Sequence, residues 1–259
     1  AVGQLSSVLD PNSKYTYTYD AAGRNTSVDN TGTVGVPNVK FDYNYDAVNN
    51  LVQTKDAING QNKGVTNYVY DALNRTTQIN QTGSGVVDKR VDLAYDAASQ
   101  MSLMTRYQNL TGSNQVAKSD YQYDAVGRLT GLKHSHNGNT IADYGWTYDA
   151  GSRITKSTSP DGVADYNYDK TNQLTGTDNS DRTDEAYTYD SNGNRTNSGY
   201  ANGASNQLLS DGTYNYEYDG EGNRTKRIEI ATGIVDEYVW DYRNRLTNVV
   251  TKNNGGGVI

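Results

Sequence analysis

Residues 121–130 read YQYDAVGRLT, and this pattern returns nine more times along the 259 residues of the chain. The spacing of its aspartates varies only from 20 residues, between Asp149 and Asp169, to 29 residues, between Asp190 and Asp219. The ten aspartates are Asp20, Asp46, Asp71, Asp96, Asp124, Asp149, Asp169, Asp190, Asp219 and Asp241. A repeat of this length predicts stacked supersecondary units, each packed on its neighbours, rather than one globular core.

An aromatic residue stands directly before the aspartate in every copy. This repeat aromatic is Tyr19, Tyr45, Tyr70, Tyr95, Tyr123, Tyr148, Tyr168, Tyr189, Tyr218 or Trp240. Two positions earlier, most copies carry a second tyrosine, and Leu93 and Trp146 take that place in two of them. A period of two is typical of a β-strand, so both aromatic columns are expected on one face of the sheet.

The residues after the aspartate predict a turn. Three positions on, the chain carries only Gly, Asn or Ser, at Gly23, Asn49, Asn74, Ser99, Gly127, Ser152, Asn172, Gly193, Gly222 and Asn244. Gly and Asn tolerate a left-handed backbone, and an Asp side chain can accept hydrogen bonds from amides two residues on. An Arg or an amide side chain follows, and often an aliphatic residue such as Leu129, where the next strand begins.

The Tyr-x-Tyr-Asp-x-x-Gly-Arg-Leu unit resembles the YD-repeat, or RHS-repeat, family from about Tyr15 to Thr247. Asn194 in the Arg place and Leu93 in the Tyr place depart from its pattern. The resemblance implies a β-strand spiral of the kind that forms hollow cocoons in bacterial RHS and Tc toxins and in teneurin-like cell-surface proteins. In the toxins the cocoon encloses a C-terminal toxic domain. The Asp-Pro-x-Gly motif of the family's self-cleaving core has no match here, so autoproteolysis is not expected.

Turn signals between the motifs predict how the strands connect. Asn59-Gly60, Asn137-Gly138 and Thr232-Gly233 read as hairpin tips, so each repeat should contribute two strands to an antiparallel meander. Asn253–Gly257 reads as a further Gly-rich tip, and Tyr200 to Leu208 as a decayed copy of the motif. About twenty strands at roughly 4.8 Å each are too many for an open sheet that does not curl. We expect an all-β, curved sheet, spiral or shell.

Composition is consistent with one repeat domain over residues 1–259, which we interpret as a segment of a longer protein. Twenty-three tyrosines can supply buried apolar area, and their hydroxyls should find partners in turn polar groups or water. The net charge of −7 argues against a nucleic-acid partner, and the absence of cysteine excludes disulfides. No apolar run is long enough for a membrane helix.

Candidate chemistry is sparse, and we expect no catalytic residue, no bound metal and no cofactor. His134 and His136 have the spacing of a metal pair but lack an evident third ligand. Asp190, Asn192 and Asn194 match half of a calcium loop, as do Asp219, Glu221 and Asn223, yet both lack its later Gly and Glu. The ten repeat aspartates are interpreted as turn formers.

Two functions from different classes remain open. The first is a non-catalytic structural segment of a shell that encapsulates or delivers a C-terminal toxin or effector, as the resemblance implies. The second is a carbohydrate-binding or cell-surface adhesion module that uses exposed Tyr and Trp. Trp146 and Trp240 stand in the aromatic columns, which favours packing between repeats. For the first function, the partners would be flanking repeats of the same polypeptide and its C-terminal toxin. For the second function, the partners would be glycans. In both cases we expect a protein that is secreted or located at a bacterial cell surface.

Overall fold

The computed structural model describes residues 3–259, and these residues form 22 β-strands and one short 3-10 helix, at Ala204–Asn206. The expected all-β fold is confirmed. In chain order the strands are β1 (Ser7–Leu9), β2 (Lys14–Tyr19), β3 (Asn25–Asp29), β4 (Val39–Tyr45), β5 (Leu51–Ile58), β6 (Gln61–Tyr70), β7 (Thr76–Gly83), β8 (Val86–Tyr95), β9 (Met101–Tyr107), β10 (Gln115–Tyr123), β11 (Leu129–His136), β12 (Asn139–Tyr148), β13 (Ile154–Thr158), β14 (Val163–Tyr168), β15 (Leu174–Asn179), β16 (Glu185–Ala186), β17 (Tyr200–Asn202), β18 (Leu208–Asp211), β19 (Tyr214–Tyr218), β20 (Arg224–Glu229), β21 (Val235–Trp240) and β22 (Leu246–Lys252).

The strands form an antiparallel meander. Backbone contacts divide the chain into one unit of residues 3–147 with 157–161 and another of residues 148–156 with 162–259. In the first unit, β1 to β12 are neighbours in chain order. In the second, β13 to β16 are neighbours in chain order, and so are β17 to β22. The interpretation of residues 1–259 as one domain stays a prediction.

Each pre-turn strand has one half-buried aromatic face and one exposed face. In β10, Tyr121 and Tyr123 are half-buried while Gln122 between them is exposed. The residue between the two aromatic columns is exposed in all ten copies. Tyr123 lies directly opposite Leu129 on β11, so the aliphatic column shares the aromatic face, as the alternation predicts.

The sheet has little sealed core. Ala164 is the only buried apolar residue among residues 3–259, whereas five hydroxyl residues are buried: Ser27, Thr105, Ser119, Ser135 and Thr177. The accessible surface is 16112 Å². A globular monomer of 28.4 kDa would expose about 11,200 Å². Contacts between neighbouring strands and repeats therefore hold the fold, because residues 3–259 form no central apolar core.

The two edges of the meander use different turns. At the hairpin tips, Asn59-Gly60 has φ values of 52° and 77°, and Asn137-Gly138 has 49° and 81°. Positive φ at both central residues is the type I′ turn that a two-residue hairpin prefers, which confirms these two tips. The tip expected at Asn253–Gly257 has instead the geometry of the aspartate turns. Asn253 accepts hydrogen bonds from the Gly255 and Gly257 amides on its side-chain oxygen, and Gly256 has a φ of 83°.

The prediction that every repeat contributes two strands is wrong at Asp190. The strand before this turn, β16, has only two residues, and the turn is flanked by a single isolated bridge between Tyr189 and Arg195. The sequence after Asp190, SNGNRTNSGY, is rich in Gly and Asn, which are unfavourable in β-strands. The strand ladder resumes at β17.

Candidate functional site

The most regular feature of the molecule is the aspartate turn, of which the turn at Asp124 is representative. The Asp124 amide donates to Arg128 O over 3.0 Å, and the Gly127 amide donates to Asp124 O over 3.0 Å. Gly127 has a φ of 88°. This is a three-residue hairpin connection, in which a type I turn is followed by one left-handed residue. Gly, Asn or Ser occupies that position because other side chains strain a left-handed backbone.

The aspartate side chain closes the turn from inside. One oxygen, Oδ1 of Asp124, accepts the amides of Val126 and Arg128, each over 3.0 Å. The other oxygen accepts Nε of Arg128 over 2.6 Å. All ten residues three positions after an aspartate have positive φ, as the sequence predicts. The carboxylates thus accept hydrogen bonds from backbone amides of their own turns, and this arrangement is repeated along the sheet.

These hydrogen bonds hold the pKa of most turn aspartates below the ordinary value of 3.8. At Asp20, Asp71 and Asp149 the main cause is the backbone amide of the arginine four residues on, and the guanidinium of that arginine comes next. At Asp190 and Asp219 the main cause is the side-chain amide of an asparagine four residues on. A carboxylate with a lowered pKa stays ionised at neutral pH and is a poor general acid.

The repeat aromatic joins each repeat to the one before it. Tyr45 donates its hydroxyl hydrogen to Asn25 O over 2.9 Å, and Tyr70 donates to Leu51 O over 2.8 Å. Trp240 uses its indole N–H in the same way, donating to Arg224 O over 2.8 Å. The same bond is made by Tyr19, Tyr95, Tyr123, Tyr168, Tyr189 and Tyr218. The partners expected from sequence, turn polar groups or water, are therefore wrong for this column, because a backbone carbonyl takes their place.

Arginine strengthens the same junction. The Arg24 guanidinium lies 4.8 Å from the centre of the Tyr45 ring in the next repeat. It also donates to Asp46 O over 2.8 Å and to Asn49 Oδ1 over 2.9 Å. The guanidiniums of Arg75 and Arg153 lie in the same way over Tyr95 and Tyr168. One arginine thus binds its own aspartate, the next aromatic ring and the next turn, and we call this set of contacts the turn clamp.

Copies without arginine keep part of the turn clamp. Asn50 donates to Asp46 within its own turn and to Asn74 of the next turn, over 2.9 and 3.0 Å. Asn223 does the same toward Asp219 and Asn244, over 3.0 Å each. An amide has two N–H donors, so it can reach both turns, but it carries no charge to place over the aromatic ring.

A threonine column also belongs to these turns and is missing from the site residues predicted from sequence. One extra residue bulges from the strand after each of eight turns, and it is Thr26, Val52, Thr77, Ser102, Thr130, Thr175, Thr225 or Thr247. The Thr247 hydroxyl donates to Val239 O across the bulge over 3.0 Å. Recurrence of Thr or Ser six positions after the aspartate is the sequence signal for this column.

The decayed copy between Tyr200 and Leu208 has the geometry of a turn. The Gly203 amide donates to Gln207 O over 2.8 Å, and Asn206 has a φ of 59°. Leu208 O accepts the Tyr218 hydroxyl over 2.9 Å. The eleventh motif is therefore confirmed as a turn, although Gly203 provides no carboxylate.

The candidate metal ligands make ordinary contacts. Nδ1 of His134 lies 2.9 Å from the Ser119 hydroxyl, and Nδ1 of His136 lies 2.7 Å from Val116 O. Oδ1 of Asp190 accepts the amides of Asn192 and Asn194, and Oδ1 of Asp219 accepts those of Glu221 and Asn223. Among residues 3–259, no group of three or more His, Cys, Asp or Glu side chains is placed to hold a metal ion.

The two tryptophans lie on the half-buried aromatic face. The Trp146 ring stacks on Tyr144, with centroids 6.3 Å apart and planes 12° from parallel. His134 meets the same Tyr144 ring edge-on at 6.1 Å. Across the described part of the chain, no helix is long and apolar enough to cross a membrane.

Comparison with known proteins fits this geometry. The RHS Repeat family model matches residues 1–34 and 123–164. These two stretches are RHS repeats. The resemblance seen in the Tyr-x-Tyr-Asp columns is thereby confirmed for these two stretches. No curated protein sequence matches the chain.

The fold of the chain also resembles that of two solved toxin structures. The Tc holotoxin pore of Photorhabdus luminescens superposes with a TM-score of 0.55 and 14% identity, over 94% of this chain and 14% of that one. A TcdB2-TccC3 crystal structure superposes with a TM-score of 0.56 and 14% identity, over 96% of this chain and 15% of that one. At identities this low, the superpositions show a shared fold alone. The chain spans about one seventh of the length of either protein.

Proposed function

We propose that this chain is a non-catalytic structural segment of an RHS-repeat shell, which encapsulates or delivers a C-terminal toxin or effector domain. The observation that carries the proposal is the junction between repeats, in which repeat aromatics such as Tyr45, Tyr70 and Tyr95 donate to a backbone carbonyl of the preceding repeat. A wall needs the same contact many times over, whereas a catalytic or binding site needs a particular set of residues once.

The fold comparisons support a toxin-related setting. Both solved structures carry this fold within much longer chains, and one is a holotoxin pore. The chain would then work beside flanking repeats of its own polypeptide, in a protein that is secreted or displayed at a bacterial cell surface. The sparse core fits that role, because an extended sheet can gain stability from further repeats on either side.

Catalysis is not part of this proposal. The contact most like a nucleophile and its base is the pair of Ser119 and His134, at 2.9 Å. Ser119 is completely buried, and its hydroxyl also accepts a hydrogen bond from Arg106 over 3.1 Å. A nucleophile must reach its substrate, so this hydroxyl is better explained as a structural hydrogen-bonding partner.

Protease protection tests the shell. We would place the chain in its full-length polypeptide, tag the C-terminal region and digest under native conditions. If the repeats enclose that region, the tag should survive, and it should be cut when Tyr45, Tyr70 and Tyr95 are all replaced by Phe. The matched control replaces Tyr15 and Tyr242 by Phe, because both are exposed and lie outside the repeat-aromatic column. A C-terminal region cut equally fast in the unsubstituted protein would overturn the proposal.

The adhesion alternative rests on one observation, the stacked pair of Tyr144 and Trp146 on a half-buried face. Sugar rings stack on such aromatic faces, but here the rings also pack among the strands. A glycan-array screen would decide. A bound glycan that is lost with Trp146→Ala and kept with Tyr242→Ala would favour adhesion over a purely structural role.

A further inference from the structure

The space over the repeat aromatics differs between turns with and without arginine. In three turns with arginine, the guanidinium lies 4.6 to 4.8 Å from the ring centre of the next repeat aromatic, which is Tyr45, Tyr95 or Tyr168. Four turns with Asn or Gln in the arginine place have instead an open groove of about 470 to 670 Å³, lined by the next repeat aromatic. These are the turns at Asp46, Asp96, Asp169 and Asp219.

Three of the four grooves already contain a polar or charged contact in place of the turn clamp. At Asp46 and Asp219, the side-chain amide of the asparagine four residues on donates to the turn carboxylate. In the groove at Asp169, the Arg195 guanidinium lies 3.9 Å from the centre of a tyrosine ring that lines it. Among residues 3–259, no such contact is made in the groove at Asp96.

The Asp96 carboxylate has one oxygen without a partner. Its Oδ1 accepts the amides of Ala98 and Gln100, each over 2.9 Å. No group among residues 3–259 donates to its Oδ2. In the turns at Asp20 and Asp71, the equivalent oxygen accepts Nε of the arginine over 2.7 Å. The groove thus presents a carboxylate oxygen at the position where other repeats bind a guanidinium.

A second acceptor lies on the other side of the groove. Arg24 and Arg153 each donate to the carbonyl of the next turn aspartate, over 2.8 and 3.2 Å. The equivalent carbonyl here, Asp124 O, accepts the Gly127 amide but no side chain among residues 3–259. A carbonyl oxygen can accept a second hydrogen bond. Gln100 donates over 3.0 Å to Gly127 O, so it does not take this place.

The third element is the aromatic lining of the groove. Tyr121 and Tyr123 are both half-buried and line its 670 Å³ together with Asp96. Burial is the main cause that raises the pKa of Tyr123, and Tyr121 and the negative charge of Asp96 add to it. The ring therefore lies in the negative field of an unpaired carboxylate, which favours a cation over its face.

We propose that the groove between the turns at Asp96 and Asp124 is a binding site for a guanidinium group, supplied by an arginine side chain of a partner polypeptide. The group lies over the Tyr123 ring and donates to Asp96 Oδ2 and Asp124 O. It takes the position that arginines of the chain itself hold in other repeats.

The chemistry of the groove favours arginine over lysine as the ligand. A guanidinium is planar, so it can stack on the ring while its N–H groups reach two acceptors in one plane, whereas an ammonium is a compact point charge. The net charge of −7 also favours a cationic partner. This binding role goes beyond the structural role proposed above and does not depend on it.

NMR titration of the whole chain with N-acetyl-arginine amide tests the site. We expect saturable shifts of the Gly127 amide and the Tyr123 ring, and none of the Tyr95 ring, which Arg75 already covers. The citrulline analogue has nearly the same shape without the charge and should bind at least about fivefold more weakly. The lysine analogue should bind about threefold more weakly.

Three variants connect the binding to the groove. Gln100→Arg supplies a guanidinium from the chain itself, so it should abolish binding of the probe. Gln122→Arg is the matched control, because it adds the same charge on the exposed face of β10 and should leave binding largely unchanged. Asp96→Asn keeps an oxygen for the Ala98 and Gln100 amides but removes the charge, and it should weaken binding at least about fivefold.

Several results would overturn the proposal. They are the absence of saturable shifts, equal binding of the arginine and citrulline probes, shifts at Tyr95 as large as those at Tyr123, and binding that survives Gln100→Arg or Asp96→Asn. The probe series uses the unsubstituted chain, so it decides even if a variant fails to fold. Protease protection of a C-terminal region is measured independently, so either proposal can fail without the other.

Discussion

The repeats at Asp124 and Asp190 share one turn but close very different lengths of sheet. Gly127 and Gly193 have φ values of 88° and 85°, and their amides donate to the aspartate carbonyl over 3.0 and 3.1 Å. Around Asp124, β10 and β11 pair from Lys118 opposite Ser135 to Tyr123 opposite Leu129. Around Asp190 the pairing is a single bridge. The turn therefore forms whether or not a long strand ladder leads into it.

The residues after each turn explain the difference. Leu129–His136 supplies a continuous strand, whereas Asn197 uses its side chain in place of a ladder. Its oxygen accepts the Thr188 amide over 3.2 Å, and its amide donates to Ala186 O over 2.6 Å. Gly199, with a φ of 87°, then turns the chain away. The turn is encoded within five residues, but strand length depends on the residues beyond the turn.

The largest effect is expected from Gly127→Val. A β-branched residue is strained at a φ of 88°, and its Cβ would lie 3.1 Å from Gln100 Nε2. We expect a loss of about 2–3 kcal/mol in the free energy of unfolding. Gly193→Val has the same backbone strain but less sheet to disturb, so its effect on global unfolding should be smaller. Thermal and urea unfolding measure both, and an unchanged Tm for Gly127→Val would contradict the role of the left-handed turn.

Asp124→Ala should cost less stability than Gly127→Val. The change removes the acceptor for the Val126 and Arg128 amides and the partner of the Arg128 guanidinium, but it leaves the backbone hydrogen bonds of the turn in place. Asp124→Asn is the control, since an amide oxygen can still accept both backbone amides. The Asn variant should lie between wild type and Ala in urea unfolding. An Asn variant as unstable as Ala would show that charge, not hydrogen bonding, is what matters.

Sequence patterns predict the repeated part of this fold well and the connections between repeats less well. The Tyr-x-Tyr alternation and the Gly, Asn or Ser after each aspartate are local rules, so they predict strands and left-handed turns residue by residue. The partner of the Tyr45 hydroxyl, Asn25 O, lies one repeat away, and no local pattern encodes it. The missing strand pairing around Asp190 has a similar cause. The Asn197 side chain takes hydrogen-bonding partners on Thr188 and Ala186 that a paired strand would use, and no local pattern encodes these contacts.

Tyr123→Phe tests the junction between repeats with a smaller change. It removes the hydrogen bond to Met101 O, which has a length of 3.0 Å, and should cost about 1 kcal/mol of unfolding free energy. Tyr189→Phe removes the equivalent bond to Leu174 O in the short repeat. Hydrogen exchange should show local loosening of β9 for Tyr123→Phe and of β15 for Tyr189→Phe. Loosening spread evenly over all strands would show that the bond does not act at its own junction.

The smallest expected effect is a difference in how the pKa values of Asp124 and Asp190 respond to salt. The pKa values of both Asp124 and Asp190 lie below 3.8, but for different reasons. The Arg128 amide is the main cause at Asp124, where the Arg128 guanidinium also contributes, whereas the neutral Asn194 side chain is the main cause at Asp190. Salt screens charges far more than it weakens neutral hydrogen bonds. Raising the salt concentration should therefore raise the Asp124 pKa more than that of Asp190, as measured by carboxyl NMR.

The same shifts fix the sign of the pH dependence. A carboxylate with a pKa lowered by folding stabilises the folded state above its unfolded value, near 3.8, and loses that contribution as the pH falls through the folded pKa. Tm should thus be flat above about pH 5 and fall below about pH 4. Asp124→Asn should reduce the fall of Tm at acid pH when the salt concentration is low. Asp190→Asn should reduce this fall equally at low and at high salt concentration. A steeper fall of Tm at acid pH in either variant would mean that folding does not stabilise the ionised form of these carboxylates.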